Sequence, residues 1–473
     1  MKPSPVPDLS RRRFLGQACC AAVGATGFLS SLASLRLIAA AASPDNVPVN
    51  AAATASDYKA LVCLFLQGGN DANNLIIPAD AAGYAAYASA RSNLALPLAG
   101  VLPITPRTSD GRTWALHPAL AEVQSLFGAG KAAIMANVGT LVYPTTLAQY
   151  KATSVKLPPQ LFSHSDQQVQ WQSSVPDQPA VTGWGGRLAD LVNAANTNNQ
   201  LSMSISLAGT NFFQVGKQVS QYAISSSGAV TFNGTTGGNN PLRYTEQKDL
   251  FAQAQPALFN AAFAGLSSAS IANSDLVNTV LSSAPALTTV FPNTSLGNQL
   301  KMAARLIGTS AAFGLKRQIF FCQVGGYDLH AAQVNTADPL TGAHATLFTQ
   351  LSQALNAFYN ATVELGVANQ VTTFTASDFG RTYSSNGDGS DHGWGNHQLI
   401  LGGAVRGGDI YGKMPVLTLN GPDDTGRGRW VPSTSVDEYS GTLASWFGVS
   451  PTDLPTVLPN VGRFAHPNLG FLG

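Results

Sequence analysis

The chain has 473 residues, 45% of them hydrophobic and 11% charged, with a formal net charge of +1. That is enough apolar material for one large domain or two moderate ones. A near-neutral chain with no basic run beyond its N-terminus excludes the electrostatic footprint of a nucleic-acid binder. Four cysteines in a chain of this size exclude a disulfide framework.

The N-terminal stretch "SRRRFLGQACCAAVGATGFLSSLASLRLIAAAAS" sets Arg11, Arg12 and Arg13 ahead of a moderately apolar run that ends in small residues. Ser10-Arg11-Arg12-Arg13-Phe14-Leu15 resembles the twin-arginine export signal, and "AAAAS" (39–43) offers small residues for cleavage. Residues 1–42 are therefore expected to be a signal peptide that engages the twin-arginine translocase, and residues 43–57 a linker. The mature protein would be periplasmic or secreted. A membrane anchor is the alternative, but Gly, Ser and Ala dilute the run and Arg36 interrupts it. No later stretch approaches the ~18 consecutive apolar residues of a membrane helix, so no stable span is expected after cleavage. Cys19 and Cys20 fall in the signal. Cys63 and Cys322 sit in apolar runs and read as buried thiols, with a single disulfide as the alternative.

From residue 58 apolar runs alternate with helical periodicity. "KALVCLFLQGGNDANN" reads as a buried strand that stops at Gly-Gly and an aspartate. "KAAIMANVG" (131–139) and "MSISLAG" (203–209) are further strand candidates. Residues 210–296 are richer in Ser, Asn, Thr and Gly with weaker periodicity, and read as an inserted cap. "GNQLKMAARLIGTSAAFG" (297–314) has helical character. "RQIFFCQVGGYDLH" then repeats the apolar run, the cysteine, Gly-Gly and an aspartate. The segment 341–366, with Leu347, Leu351, Leu355 and Phe358 at helical spacing, is a second helix. "NQVTTFTASDFGR" is a third strand that ends in an acidic residue. This alternation predicts an α/β fold with a mainly parallel central sheet flanked by helices. In such sheets ligands bind beyond the carboxyl ends of the strands.

Four polar stations follow from this layout: Asp71 in "GGNDANN", Ser163 to Asp166 in "LFSHSDQQVQW", Asp328 and His330 in "GGYDLH", and Asp378, Asp391, His392 and His397 in residues 375–397. Carboxylates with imidazoles suit Zn, Mn, Mg or Fe rather than a cysteine-based structural site. Two such ions about 4 Å apart form a common clamp for displacement at phosphorus. Each residue also has a plainer reading. Asp71 and Ser163 (or Ser165) could cap helices, and Asp328, His330 and His392 could be turn residues. Asp378 could pair with Arg381, and His397 could face the core at the start of a strand. His117 and His466 precede prolines and read as packing or turn residues, and His344 reads as a surface or capping group. No dinucleotide fingerprint, phosphate loop or Gly-x-Ser-x-Gly elbow is present.

The motifs "FLQGGNDANN", "SHSDQQVQW", "GGYDLHAAQ", "SDFGRT" and "DHGWGNHQLILGG" closely resemble the family known as domain of unknown function 1501. That family is similar to the alkaline phosphatase and sulfatase superfamily. The resemblance implies an alkaline-phosphatase-like α/β domain over residues 58–473, holding one or two divalent ions (Zn, Mn, Mg or Ca). It implies Asp71, Asp328, His330, Asp378 and His392 as ligands, with His397 in reserve. It also implies Ser163 as nucleophile on a small anionic phosphate or sulfate ester. Arg381, whose guanidinium matches phosphate geometry, would steady an anionic oxygen. Phe379 departs from the pattern, standing where the superfamily has a histidine after the aspartate. The competing expectation is a secreted binding or cell-surface assembly protein that keeps the fold without turnover.

Overall fold

The computed structural model describes residues 58–197, 201–229, 240–253, 257–284 and 286–473. The expected signal peptide (1–42) and linker (43–57) lie outside the described residues. Two compact units are distinguished. The larger takes the described residues of Pro48–Val230 and Asp275–Gly473. The smaller includes Thr231–Ser274, inside the region 210–296 expected as a cap, and its described residues are helical: Asn240–Ala252 and most of Leu258–Ser282. Among the described residues no helix is long and apolar enough to cross a membrane.

Among the described residues the strands are, in chain order, β1 (Lys59–Leu66), β2 (Ile76–Pro78), β3 (Leu102–Ile104), β4 (Trp114–Leu116), β5 (Ala132–Gly139), β6 (Ser204–Ser206), β7 (Tyr222–Ala223), β8 (Arg317–Val324), β9 (Val371–Ser377), β10 (Asn396–Gly402), β11 (Ile410–Tyr411) and β12 (Thr434–Ser435). The nine-stranded sheet runs β11-β5-β10-β9-β1-β8-β6-β7, with β12 also pairing β5. Every pairing is parallel except those of β10, which is antiparallel to both neighbours. β2, β4 and β3 form a small antiparallel sheet.

The mainly parallel sheet expected from the alternation is thus present, and its burial explains the unbroken apolar runs. β1 from Ala60 onward, all of β5 and all of β9 are buried on both faces, as a parallel sheet covered by helices requires. Helices Ser295–Gly308 and Ala343–Glu364 form where apolar periodicity predicted them. On the latter Phe348, Leu351, Leu355 and Phe358 turn inward, while Leu347 is only half-buried. Cys63 pairs with Phe321 in register, so Cys322, the next residue of β8, faces the other side of the sheet. Both thiols are free and buried, and no disulfide joins them.

β9, β1 and β8 are adjacent and parallel, which brings the ends of three separate sequence segments to one edge. Their crowding explains Gly-Gly. A Cβ on Gly68 (φ +117°) would lie 2.4 Å from the backbone N of Asp328, and one on Gly69 (φ +80°) would lie 2.5 Å from the Phe379 ring. Only glycine tolerates both the backbone conformation and the approach.

Candidate metal centre

Asp328 follows β8 and Asp378 follows β9 directly, whereas His392 arrives on the loop that returns to β10. His164 opens the helix His164–Ser173, with Ser163 as its N-cap residue. These segments converge. His164, Asp328 and His392 each offer a ligand atom, all within 4.8 Å of one another. His392 Nε2 lies 3.1 Å from His164 Nε2 and 2.9 Å from His330 Nε2. The Asp328 carboxylate lies 3.1 Å from His330 Nε2, 3.3 Å from His392 Nε2 and 3.5 Å from His164 Nε2. Asp328 and His330 remain open, with side chains 45% and 44% exposed.

Each imidazole is fixed through its other nitrogen. His164 Nδ1 lies 2.6 Å from Asp378 Oδ2, His330 Nδ1 lies 3.0 Å from Asp391 Oδ1, and His392 Nδ1 lies 2.7 Å from the Phe162 carbonyl oxygen. With Nδ1–H donating to these acceptors, three Nε2 lone pairs face one another. That arrangement is unfavourable until a cation stands among them, and it is the outer-partner pattern of metal-binding histidines. Three imidazoles and one carboxylate fit a borderline divalent ion; Mg and Ca prefer oxygen donors.

Electrostatics agree with that role. Burial acts to raise the Asp328 carboxyl, but the Arg381 hydrogen bond and charge, with His330 and His164, bring it below the usual carboxylate range. Burial likewise opposes ionisation of Asp391, yet bonds from Asn386, His330 and Arg427 pull it down to about 2. Burial lowers the His392 imidazole against the pull of the Phe162 carbonyl, which keeps it neutral and able to donate its lone pair.

Several of the expected site residues are engaged by other protein groups. Asp378 is fully buried; its Oδ1 accepts from the Gly68 amide (3.1 Å), and its Oδ2 from Gln168 (2.8 Å) as well as facing His164. Its oxygens are taken up by His164, Gln168 and the Gly68 amide. Asp71 is buried too, in a salt bridge with the fully buried Arg91, and accepts from Gln333 and Asn73. Burial works to raise this carboxyl, but the Arg91 charge wins and lowers it. Asp71 is thus occupied by a protein cation. Arg381, expected to steady a substrate oxygen, has a guanidinium with no exposed surface. It donates to Asp328 (2.7 Å), Gly68 O (3.2 Å) and Ser390, so it orients the Asp328 carboxylate. His397 lies within β10; burial lowers it to about 4, and its Nδ1 accepts from the Asn137 amide. It is a neutral core histidine. His344, read as a surface or capping group, is buried 3.3 Å from Asn70.

His164 joins Asp328 and His392 in the one group among the described residues that could hold an ion, and the sequence does not single it out. Standing between two serines at a helix start, it was overshadowed by Ser163; the available signal was a helix-opening histidine that an acidic strand end could hold. Ser163 Oγ donates to Asp166 and lies 3.3 Å from Ser165 Oγ. Phe379 is fully buried, its ring centroid 4.7 Å from those of both His164 and His392. It is an apolar wall against which both imidazoles pack.

A family model described as "Protein of unknown function (DUF1501)" matches residues 58–425. No curated protein matches the chain. Similar solved structures include the PsFucS1 sulfatase from Pseudoalteromonas sp., at 10% identity and TM-score 0.35, covering 84% of this chain and 69% of that one. Another is the lipoteichoic acid synthase LtaP from Listeria monocytogenes, at 7% identity and TM-score 0.34, covering 90% and 80%. A third is the soluble domain of lipooligosaccharide phosphoethanolamine transferase A from Neisseria meningitidis, at 8% identity and TM-score 0.33, covering 89% and 95%. Likeness at this level assigns no activity.

Proposed function

The chain belongs to the DUF1501 family, and from that premise we propose that it is an exported metal-dependent hydrolase of phosphate or sulfate esters. One observation carries the proposal: three imidazole Nε2 atoms converge with the Asp328 carboxylate while each Nδ1 is held by a separate acceptor. The donor set favours zinc over magnesium or calcium. Export by the twin-arginine translocase is supported by Ser10 to Leu15 and would deliver the folded protein to the periplasm or beyond.

The ligands would be His164, Asp328 and His392, with His330 beside them. When bound, the ion supplies Lewis-acid stabilisation of charge developing on an ester oxygen. Arg381 keeps Asp328 ionised and aimed at the centre, and Asp378 keeps the His164 ring in place. Ser163 is the proposed nucleophile. Asp166 accepts its hydrogen bond and can take its proton as the Oγ bond to phosphorus or sulfur forms. The ester oxygen then leaves with its bonding pair, and water hydrolyses the serine ester to release the inorganic acid.

A second reading, a secreted binding or surface-assembly protein, draws support from Phe379 and from the Asp71–Arg91 pair, which leave fewer ligands than a full two-ion site would use. The discriminating experiment assays zinc-loaded protein on phosphate and sulfate mono- and diesters. Hydrolysis that is lost in Ser163→Ala supports the hydrolase. Metal uptake without turnover of any ester supports the binding protein.

A further inference from the structure

Beyond the ion and its ligands, the segment 424–430 places two arginines at the rim of the centre. Arg427 holds φ +62°, a left-handed conformation unusual for a side chain of this size. The loop enforces it: the buried Asp424 carboxylate accepts from the amides of Gly426 (2.6 Å), Gly428 (2.7 Å) and Arg429 (3.2 Å). Tyr383 and Ser384 amides hold the Gly428 and Arg427 carbonyls at 3.2 Å. Backbone strain that the surroundings over-determine in this way concentrates at functional sites.

Both guanidinium groups attach to the outer partners of ligand histidines. Arg427 Nη1 donates to Asp391, which holds His330. Arg429 Nε donates to the His392 carbonyl oxygen at 2.8 Å and lies 4.7 Å over the Phe162 ring, whose own carbonyl holds His392. Neither side chain is used up. Arg427 is 45% exposed and Arg429 half-buried, and their remaining N–H groups meet no acceptor among the described residues. Around the centre Arg381 pairs with Asp328 and Arg427 with Asp391. Arg429 has no carboxylate partner among the described residues. Forked donors next to a metal centre match a tetrahedral oxyanion.

We propose that Arg427 and Arg429 form an anion-binding rim that seats the charged group of the ester beside the His–Asp centre. The inference rests on the hydrolase reading for its substrate and assigns the anion contact to this pair instead of the buried Arg381. It is tested by calorimetric titration of inorganic phosphate, and separately of sulfate, into protein as purified and after zinc loading. Wild type is compared with Arg427→Gln, Arg429→Gln and the double variant, and zinc affinity is measured in each. The expected result is oxyanion binding in wild type that weakens by about tenfold in each single variant and by more in the double, since charge-assisted bonds are lost. The stronger of the two anions identifies the ester class. Absence of oxyanion binding in wild type, or equal affinity in the double variant, overturns the proposal. Zinc uptake with no oxyanion binding sinks the arginine rim alone. Arginine-dependent oxyanion binding in protein that takes up no zinc sinks the hydrolase reading alone.

Discussion

Asp378 Oδ2 lies 2.6 Å from His164 Nδ1, while its Oδ1 accepts from the amide of Gly68 at 3.1 Å. One buried carboxylate thus ties the end of β9 to the loop after β1 and aims an imidazole at Asp328 and His392. Asp378→Asn keeps the shape but removes the charge. Zinc affinity measured against a competing chelator should fall by about 10–100-fold, the usual cost of losing such an outer partner. Unchanged affinity would mean that His164 is not held for metal binding.

Asp71 and Arg91 make a different kind of pair, an ion pair in which both partners are buried. Removing one partner strands the other charge, so Asp71→Ala should lower unfolding stability by about 3–5 kcal/mol in denaturant titration. Metal stoichiometry should not change. A variant of near-normal stability that has lost its ion would restore Asp71 as a ligand.

Gly68→Ala tests the convergence of the strand ends. Its new Cβ would meet the Asp328 backbone N at 2.4 Å, and φ +117° disfavours any side chain. The expected outcome is a lower Tm together with weaker zinc binding, because Asp328 must shift. Alanine at Gly111, which also has positive φ but nothing within 4 Å, is the control for backbone strain alone. Equal effects on zinc at both positions would contradict the steric account.

The sequence made the three strand ends legible because runs buried on both faces are apolar throughout, and because Gly-Gly marks a crowded turn. It also supplied Asp328, His330 and His392, which the structure brings together. It did not show which polar residue at a strand end meets an ion and which meets another protein group. That depends on partners distant in the chain: Arg91 for Asp71, His164 for Asp378, and the Asn137 amide for His397. Arg381 matched phosphate by chemistry alone, whereas its burial follows from packing over Gly68 and Ser390.

His397 also predicts a pH dependence. Burial lowers it to about 4, below the ordinary value of about 6.5. Between these values the unfolded chain binds the extra proton, so stability is full above about pH 6.5 and falls as pH drops toward 4. Asp437, raised by burial to about 7, acts with the opposite sign throughout this range, so the informative quantity is a difference. Wild type minus His397→Gln stability should decline between pH 7 and pH 5 by on the order of 1–2 kcal/mol. A flat difference would show that the imidazole is not buried neutral.

In the proposed function His164, Asp328 and His392, with His330 beside them, hold a divalent ion. Its most direct test is zinc content and affinity in the mature protein and in His164→Ala/His392→Ala, with His397→Gln as a control. Wild type and His397→Gln should take up zinc, and the double variant, still folded, should not. Zinc retained by the double variant, or no ion taken up by wild type, would contradict it.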